Sequence, residues 1–200
     1  MADAPARLSP LPRGFANRAA GPPLTARARG PLDMAQVAAF DSPAATAETL
    51  SKHFGLAITP TPNRAVTAGD LSVLWHGPGQ WLIVRAPTVP TLAEELAGVC
   101  GDGTAVVDLG HARAVLRFAS ESVGDVLAKG TSIDLRPASF PPGACALTAL
   151  GKINALLHAV APATVDIYVP RSYAQALVDW LEHAARDVAV EFAGPGDLSD

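Results

Sequence analysis

VGDVLAKGTSIDLRPASFPPGACALTALGKINALLH, Val123 to His158, is the stretch whose reading decides the fold. Val123, Val126 and Leu127 are spaced for one face of a short helix. Ser122 with Asp125 three residues on has the form of a capping box, and Gly130 closes the helix. A proline-rigid loop follows, ending in the turn Phe140-Pro141-Pro142-Gly143. Two apolar runs, Ala144–Leu150 and Ala155–Ala159, then read as strands. The segment alternates helix, loop and strand but holds no complete set of groups for chemistry, so it reads as scaffold that presents a surface.

Working outward, Val165–Val169 is a third strand. Tyr173, Leu177, Trp180, Leu181 and Ala184 form the apolar stripe of a last helix, with Ser172 as its cap. Toward the N-terminus, Met34–Phe40 suits a strand. Ser42 and Pro43 open a helix that runs to Phe54 and stops at Gly55. Leu71–Trp75 and Trp81–Arg85 flank His76-Gly77-Pro78-Gly79-Gln80, the clearest hairpin in the chain. Thr91–Val99 is a short helix. Ala105–Leu109 and Ala114–Phe118 read as a second hairpin around Gly110-His111-Ala112-Arg113. Hairpins outnumber single crossovers, so the expected class is α+β with mixed or antiparallel sheets, in two split-βαβ-type halves. The expected organisation is a flexible arm over 1–32, a domain over 33–192 with halves at about 33–103 and 104–192, and a flexible tail over 193–200.

The 200 residues are 49% apolar, 6% aromatic and 17% charged. Sparse charge points to a large buried fraction or a surface covered by other chains. The net charge of −4 hides an asymmetry: residues 1–32 sum to +4 and the remainder to −8. An acidic body argues against nucleic-acid binding, which needs a basic face. No apolar run reaches the ~20 residues of a membrane span, so no membrane partner is expected. The arm resembles a transit peptide in being Arg-rich and acid-poor, but Pro5, Pro10, Pro12, Pro22 and Pro23 break any amphipathic helix. Cys100 and Cys145 make neither a metal-ligand spacing nor a disulfide framework, which places reduced thiols in the cytoplasm.

Catalytic patterns are sparse. Gly77-Pro78-Gly79 lacks the third glycine of a dinucleotide fingerprint and lies inside a hairpin. Lys129-Gly130-Thr131 follows a helix instead of opening one, so it is no phosphate loop. His53, His76, His111, His158 and His183 form no local metal cluster and read as surface or turn residues. There is no G-x-S-x-G. Asp70, Asp108, Asp125 and Asp134 are the acids expected to be ordered; Asp70 and Asp108 border strands, where such residues cap a turn or pair with an arginine more often than they accept a ligand N–H. Cys145 lies in an apolar run, where a thiol is inert. Trp75, Trp81 and Trp180 read as core or interface, not as a stacking platform. No catalytic, cofactor-binding or metal-binding residue is assigned. The candidate site is an interface at Arg136, Phe140, Pro141 and Pro142, where prolines lower the entropy lost on docking and Arg and Phe are hot-spot types.

Five ordered blocks carry a family likeness: WHGPGQWLIV (75–84), VVDLGHARAVLRF (106–118), DVLAKGTSIDL (125–135), FPPGACALTALGK (140–152) and VDIYVPRSYAQALVDWL (165–181). Together they resemble the gamma subunit family of heterotetrameric sarcosine oxidase. The resemblance implies a fold similar to the folate-binding domain of the glycine-cleavage T-protein. It also implies a non-catalytic place beside alpha, beta and delta subunits in an assembly that oxidatively demethylates sarcosine or another N-methyl amino acid. FAD, FMN, NAD, tetrahydrofolate and zinc would belong to the other subunits and none to this chain. Where many relatives have Lys-Gly-Cys, this chain has Lys129-Gly130-Thr131, so no chemistry at a thiol is available there. The competing expectation is a free-standing folate-binding one-carbon transferase or repair factor, which needs an acid aimed at the pterin. Asp70 lies near where folate enzymes of this fold place one. An arginine-armed membrane or regulator-binding module ranks last, because it rests on the arm alone.

Overall fold

The computed structural model describes residues 15–16 and 23–193. In chain order the strands are β1 (Phe15–Ala16), β2 (Leu24–Arg29), β3 (Asp33–Ala39), β4 (Ala65–Ala68), β5 (Leu71–Gly77), β6 (Gln80–Arg85), β7 (Thr104–Asp108), β8 (Arg113–Ala119), β9 (Cys145–Leu150), β10 (Ile153–Ala161), β11 (Thr164–Pro170) and β12 (Val190–Ala193). The helices are α1 (Pro43–Phe54), α2 (Leu92–Val99), α3 (Val123–Ala128) and α4 (Ala174–Ala184).

Local chemistry explains the helices that the sequence marks best. Ser42 is extended, and its hydroxyl accepts from the Ala45 amide at 3.3 Å. Pro43 follows at the first helical position. Gly55 ends α1 at φ 67°, a left-handed conformation that glycine adopts without Cβ strain, and its N–H reaches the Ser51 carbonyl. Thr91 and Glu94 make a complete capping box on α2.

The strands form two sheets, ordered β4-β5-β6-β3-β7 and β1-β12-β2-β8-β11-β10-β9. Every pairing is antiparallel except β12 with β2, so the architecture is mixed α+β. Strand alternation then builds four layers. Ala35, Val37, Val73, Trp81 and Ile83 pack outward from the five-stranded sheet onto Ala47 and Leu50 of α1 and Leu92 and Leu96 of α2. Leu116, Phe118, Leu157 and Ile167 pack outward from the seven-stranded sheet onto α3 and α4. The two inner faces meet where Met34, Leu74, Leu82 and Val84 touch Val115, Cys145, Leu156 and Tyr168.

Several expectations are corrected. Leu24–Arg29 is not part of a flexible arm: it is a strand with Leu24 and Ala26 fully buried, flanked by β12 and β8. The remainder of the arm, apart from Phe15, Ala16 and the run from Pro23, lies outside the described residues, as does 194–200. Ala105–Leu109 and Ala114–Phe118 are not arms of one hairpin. β7 pairs with β3 in one sheet and β8 with β2 and β11 in the other. The turn between them, held by Ala112 N–H donating to Leu109 O at 3.0 Å, carries the chain between layers. The sheets therefore divide near Leu109, not at 103, and the second sheet borrows β1 and β2 from before the first. Ser122 makes no side-chain cap, because at φ −86°, ψ 3° its hydroxyl cannot fold back onto the helix. Arg171–Tyr173 winds as a 3-10 turn, which rotates α4: Ala174, Leu177, Val178 and Leu181 are buried and Tyr173 is 47% exposed. β4 and β12 are four residues each, too short to stand out in sequence.

Candidate functional site

The Ile133–Gly143 loop lies against α3 and the tight turn joining β10 to β11, and together they enclose a groove of about 420 Å³. Its floor is apolar: Val123 and Leu127 from α3, Phe140 from the loop, and Ala159 and Val165 from the sheet are all buried. Its rim carries Glu121, Asp125 and Asp134 against the single cation Arg136.

The loop is held by its own bonds. The Asp134 carboxylate accepts from the Arg136 amide at 3.1 Å, from Arg136 Nε at 2.8 Å and from the Ser139 hydroxyl at 2.7 Å. These donors hold the Asp134 carboxyl well below the usual carboxylate range. The amides of Ser139 and Phe140 both donate to Arg136 O at 2.9 Å. Arg136 therefore projects from a braced loop, its side chain 81% exposed. The four predicted interface residues separate. Arg136 and Pro142 are on the surface and Pro141 is half-buried. Phe140, expected as a docking side chain, is in the core, where its ring seats the loop on the sheet. The groove can receive an apolar side chain on its floor, with the carboxylates of Glu121, Asp125 and Asp134 and the Arg136 guanidinium at its rim.

The Lys129-Gly130-Thr131 motif is structural. Lys129 Nζ donates to Ala184 O at 2.7 Å and pairs with Asp187, closing the C-terminus of α4 where its carbonyls lack partners. Thr131 Oγ1 bonds Thr148 Oγ1 on β9 at 2.7 Å. Asp108 caps its own turn by accepting from the Gly110 amide at 2.7 Å, whereas Asp70 accepts from the Ala86 amide just past β6 at 3.1 Å. Cys145 is buried between the sheets, and desolvation pushes its thiol up to about 12. Trp81 is core, its indole donating to Thr59 O at 3.2 Å.

Among the described residues no three His, Cys, Asp or Glu side chains gather to hold a metal. The N-termini of α1 and α2, where a nucleotide phosphate would sit, are closed by Ser42 and by Thr91, Glu94 and Asp33, which takes the Leu92 amide at 2.7 Å. Among the described residues no helix is long and apolar enough to cross a membrane.

One polar cluster escapes the sequence reading. Asp166, 1% exposed, accepts from Arg117 Nε at 2.6 Å and Nη2 at 2.8 Å and from Arg29 Nη1 at 2.9 Å. His158 stands beside it in register and is no surface histidine: it is 1% exposed, and burial lowers it to about 4. The available signal was a charge flanked by apolar residues in two strands, Leu116-Arg117-Phe118 and Val165-Asp166-Ile167.

Two packed sheets covered by helices on both outer faces define a domain of the kind found in the glycine cleavage system aminomethyltransferase T from Bartonella henselae. The fold superposes on that structure with a TM-score of 0.58 at 14% identity, over 85% of this chain and 47% of that one. A chain of the heterotetrameric sarcosine oxidase from Corynebacterium sp. U-96, solved in complex with pyrrole 2-carboxylate, superposes with a TM-score of 0.76 at 24% identity, over 85% and 89%. The family model for sarcosine oxidase, gamma subunit, matches residues 37–187, and the chain belongs to that family. Curated relatives include sarcosine oxidase subunit gamma from Corynebacterium sp. (strain P-1), 33% identical over 130 residues, and from Arthrobacter sp., 32% identical over 132 residues. The alignments span 63% and 66% of this chain, and 64% and 63% of those relatives' lengths.

Proposed function

We propose that this chain is a non-catalytic structural subunit of a flavin-dependent, heterotetrameric sarcosine oxidase or a close N-methyl amino acid oxidase of the cytoplasm. It is held by alpha, beta and delta subunits that carry FAD, FMN, NAD, tetrahydrofolate and zinc. The observation that carries this reading is the family match across residues 37–187. The α3 groove supports the mode of attachment. Its braced loop offers Arg136 and Pro142 to a partner at little entropic loss, and its apolar floor accepts an anchoring side chain.

Co-expression of the tagged chain with the other three subunits tests both parts. A stoichiometric complex by size-exclusion chromatography with light scattering is the expected result, and Arg136→Glu should weaken assembly at least about tenfold, the scale of one hot-spot side chain. Unfolding of the isolated variant should stay close to wild type, since the Arg136–Asp134 pair it loses lies on the surface. A stable chain that never copurifies refutes the subunit reading. Normal assembly by the R136E variant refutes only the groove as its docking surface.

A further inference from the structure

A second cleft, of about 350 Å³, opens between the inner face of the seven-stranded sheet and the end of the five-stranded one. Three arginines line it: Arg27 and Arg29 on β2 and Arg117 on β8. Alternation puts all three on the inner face, because Leu24, Ala26 and Ala28 take the helix-facing side of β2, as Leu116 and Phe118 do on β8. Arg27 stands opposite Arg117 in register, Arg117 opposite Asp166, and Asp166 opposite His158, a row of polar side chains across four strands.

Like charges in neighbouring register positions are unfavourable unless something negative lies between them. Asp166 compensates only part of this. Both of its oxygens are taken by Arg117 and one nitrogen of Arg29. The Arg27 side chain has no ion pair or hydrogen bond among the described residues. The other carboxylate at the mouth, Asp70, is committed to the Ala86 amide. Three guanidiniums with five donors each thus face two carboxylates, Asp166 and Asp70, which leaves one net positive charge and unused donors in the cleft. Behind it, on the same sheet face, the fully buried Tyr168 hydroxyl and His158 Nδ1 also have no hydrogen-bond partner among the described residues.

We propose that this cleft binds a small oxyanion, the carboxylate or phosphate group of a small molecule, with Arg27 and the free edges of Arg29 and Arg117 as its donors. Guanidinium forks match the paired oxygens of either group. Arg27 is the exposed member and closes on the ligand, while Arg29 and Arg117 are held in place by Asp166. The site lies on the opposite face of the seven-stranded sheet from the α3 groove.

Isothermal titration of the full-length chain with inorganic phosphate, and separately with succinate, tests this and separates the two sources. Saturable binding of at least one, weakening as sodium chloride rises, is expected. Arg27→Gln should weaken it about tenfold, the scale of one charge-assisted contact. Arg136→Gln, across the sheet, should leave it unchanged, and the thermal midpoint of R27Q should be no lower than wild type, because Arg27 is exposed and its removal relieves repulsion with Arg117. Absence of saturable binding for both anions, or identical binding by wild type and R27Q, overturns the proposal.

Discussion

Gly130→Ala tests the packing that joins the Lys129-Gly130-Thr131 turn to the last helix. A methyl group built on Gly130 overlaps Trp180 Cζ2 and comes to 3.0 Å from both the Gly151 amide nitrogen and Leu150 Cδ1. None of the three can retreat easily. The Gly151 amide donates to Gly130 O at 2.7 Å, which ties the two backbones together. Gly151, at φ 61°, in turn lies where its own Cβ would be 3.0 Å from Trp180 Cδ1, so the indole is clamped between two glycines. Overpacking of a tight site costs roughly 1–3 kcal/mol, and this geometry places G130A at about 3. For a chain of this size that lowers the melting temperature by roughly 6–12 °C. Urea unfolding followed by far-UV circular dichroism measures the loss directly. Trp180→Leu removes the offending ring, so G130A in that background should cost about 1 kcal/mol or less, a coupling on the order of 2. An unchanged midpoint for G130A, or the same cost in both backgrounds, would refute the steric account.

Two further outcomes follow from buried titratable groups. His158 is neutral in the fold down to about pH 4, whereas in the unfolded chain it takes a proton near 6.5. Its contribution is fully present above pH 6.5 and is lost as pH falls toward 4, up to about 3 kcal/mol, because the unfolded state binds the proton first. Burial and Arg113 lower His76 in the same sense, so His158→Gln should flatten the melting temperature between pH 7 and 4.5 without abolishing its slope; equal slopes in variant and wild type would refute the assignment. The two thiols should react in sequence with a chromogenic disulfide at pH 8. Cys100, only half-buried, goes first, and Cys145 only on unfolding; rapid double labelling of the native chain would contradict the burial of Cys145 between the sheets.

Most of the local structure is legible in short sequence patterns. Ser42-Pro43 and Gly55 bound α1, Thr91 and Glu94 open α2, and Trp75 to Trp81 closes as a hairpin, because each depends on dihedral preferences and capping atoms within a few residues. The candidate interface is half legible: prolines and Arg136 mark the loop, but the burial of Phe140 depends on α3 and β11, which lie outside the loop and pack on it only in the fold.

By itself the sequence determined the α+β class, the inert setting of Cys145 and the family, since these reside in alternation, spacing and ordered motifs. Tertiary structure alone decided that β7 and β8 part into different sheets and that Leu24–Arg29 enters beside β8. It alone decided that Arg29 and Arg117 converge on Asp166 across 137 and 49 residues of chain. The physical reason is that strand pairing is chosen by the burial of whole faces. An isolated run of residues specifies which of its sides is apolar, but not which distant surface will cover it.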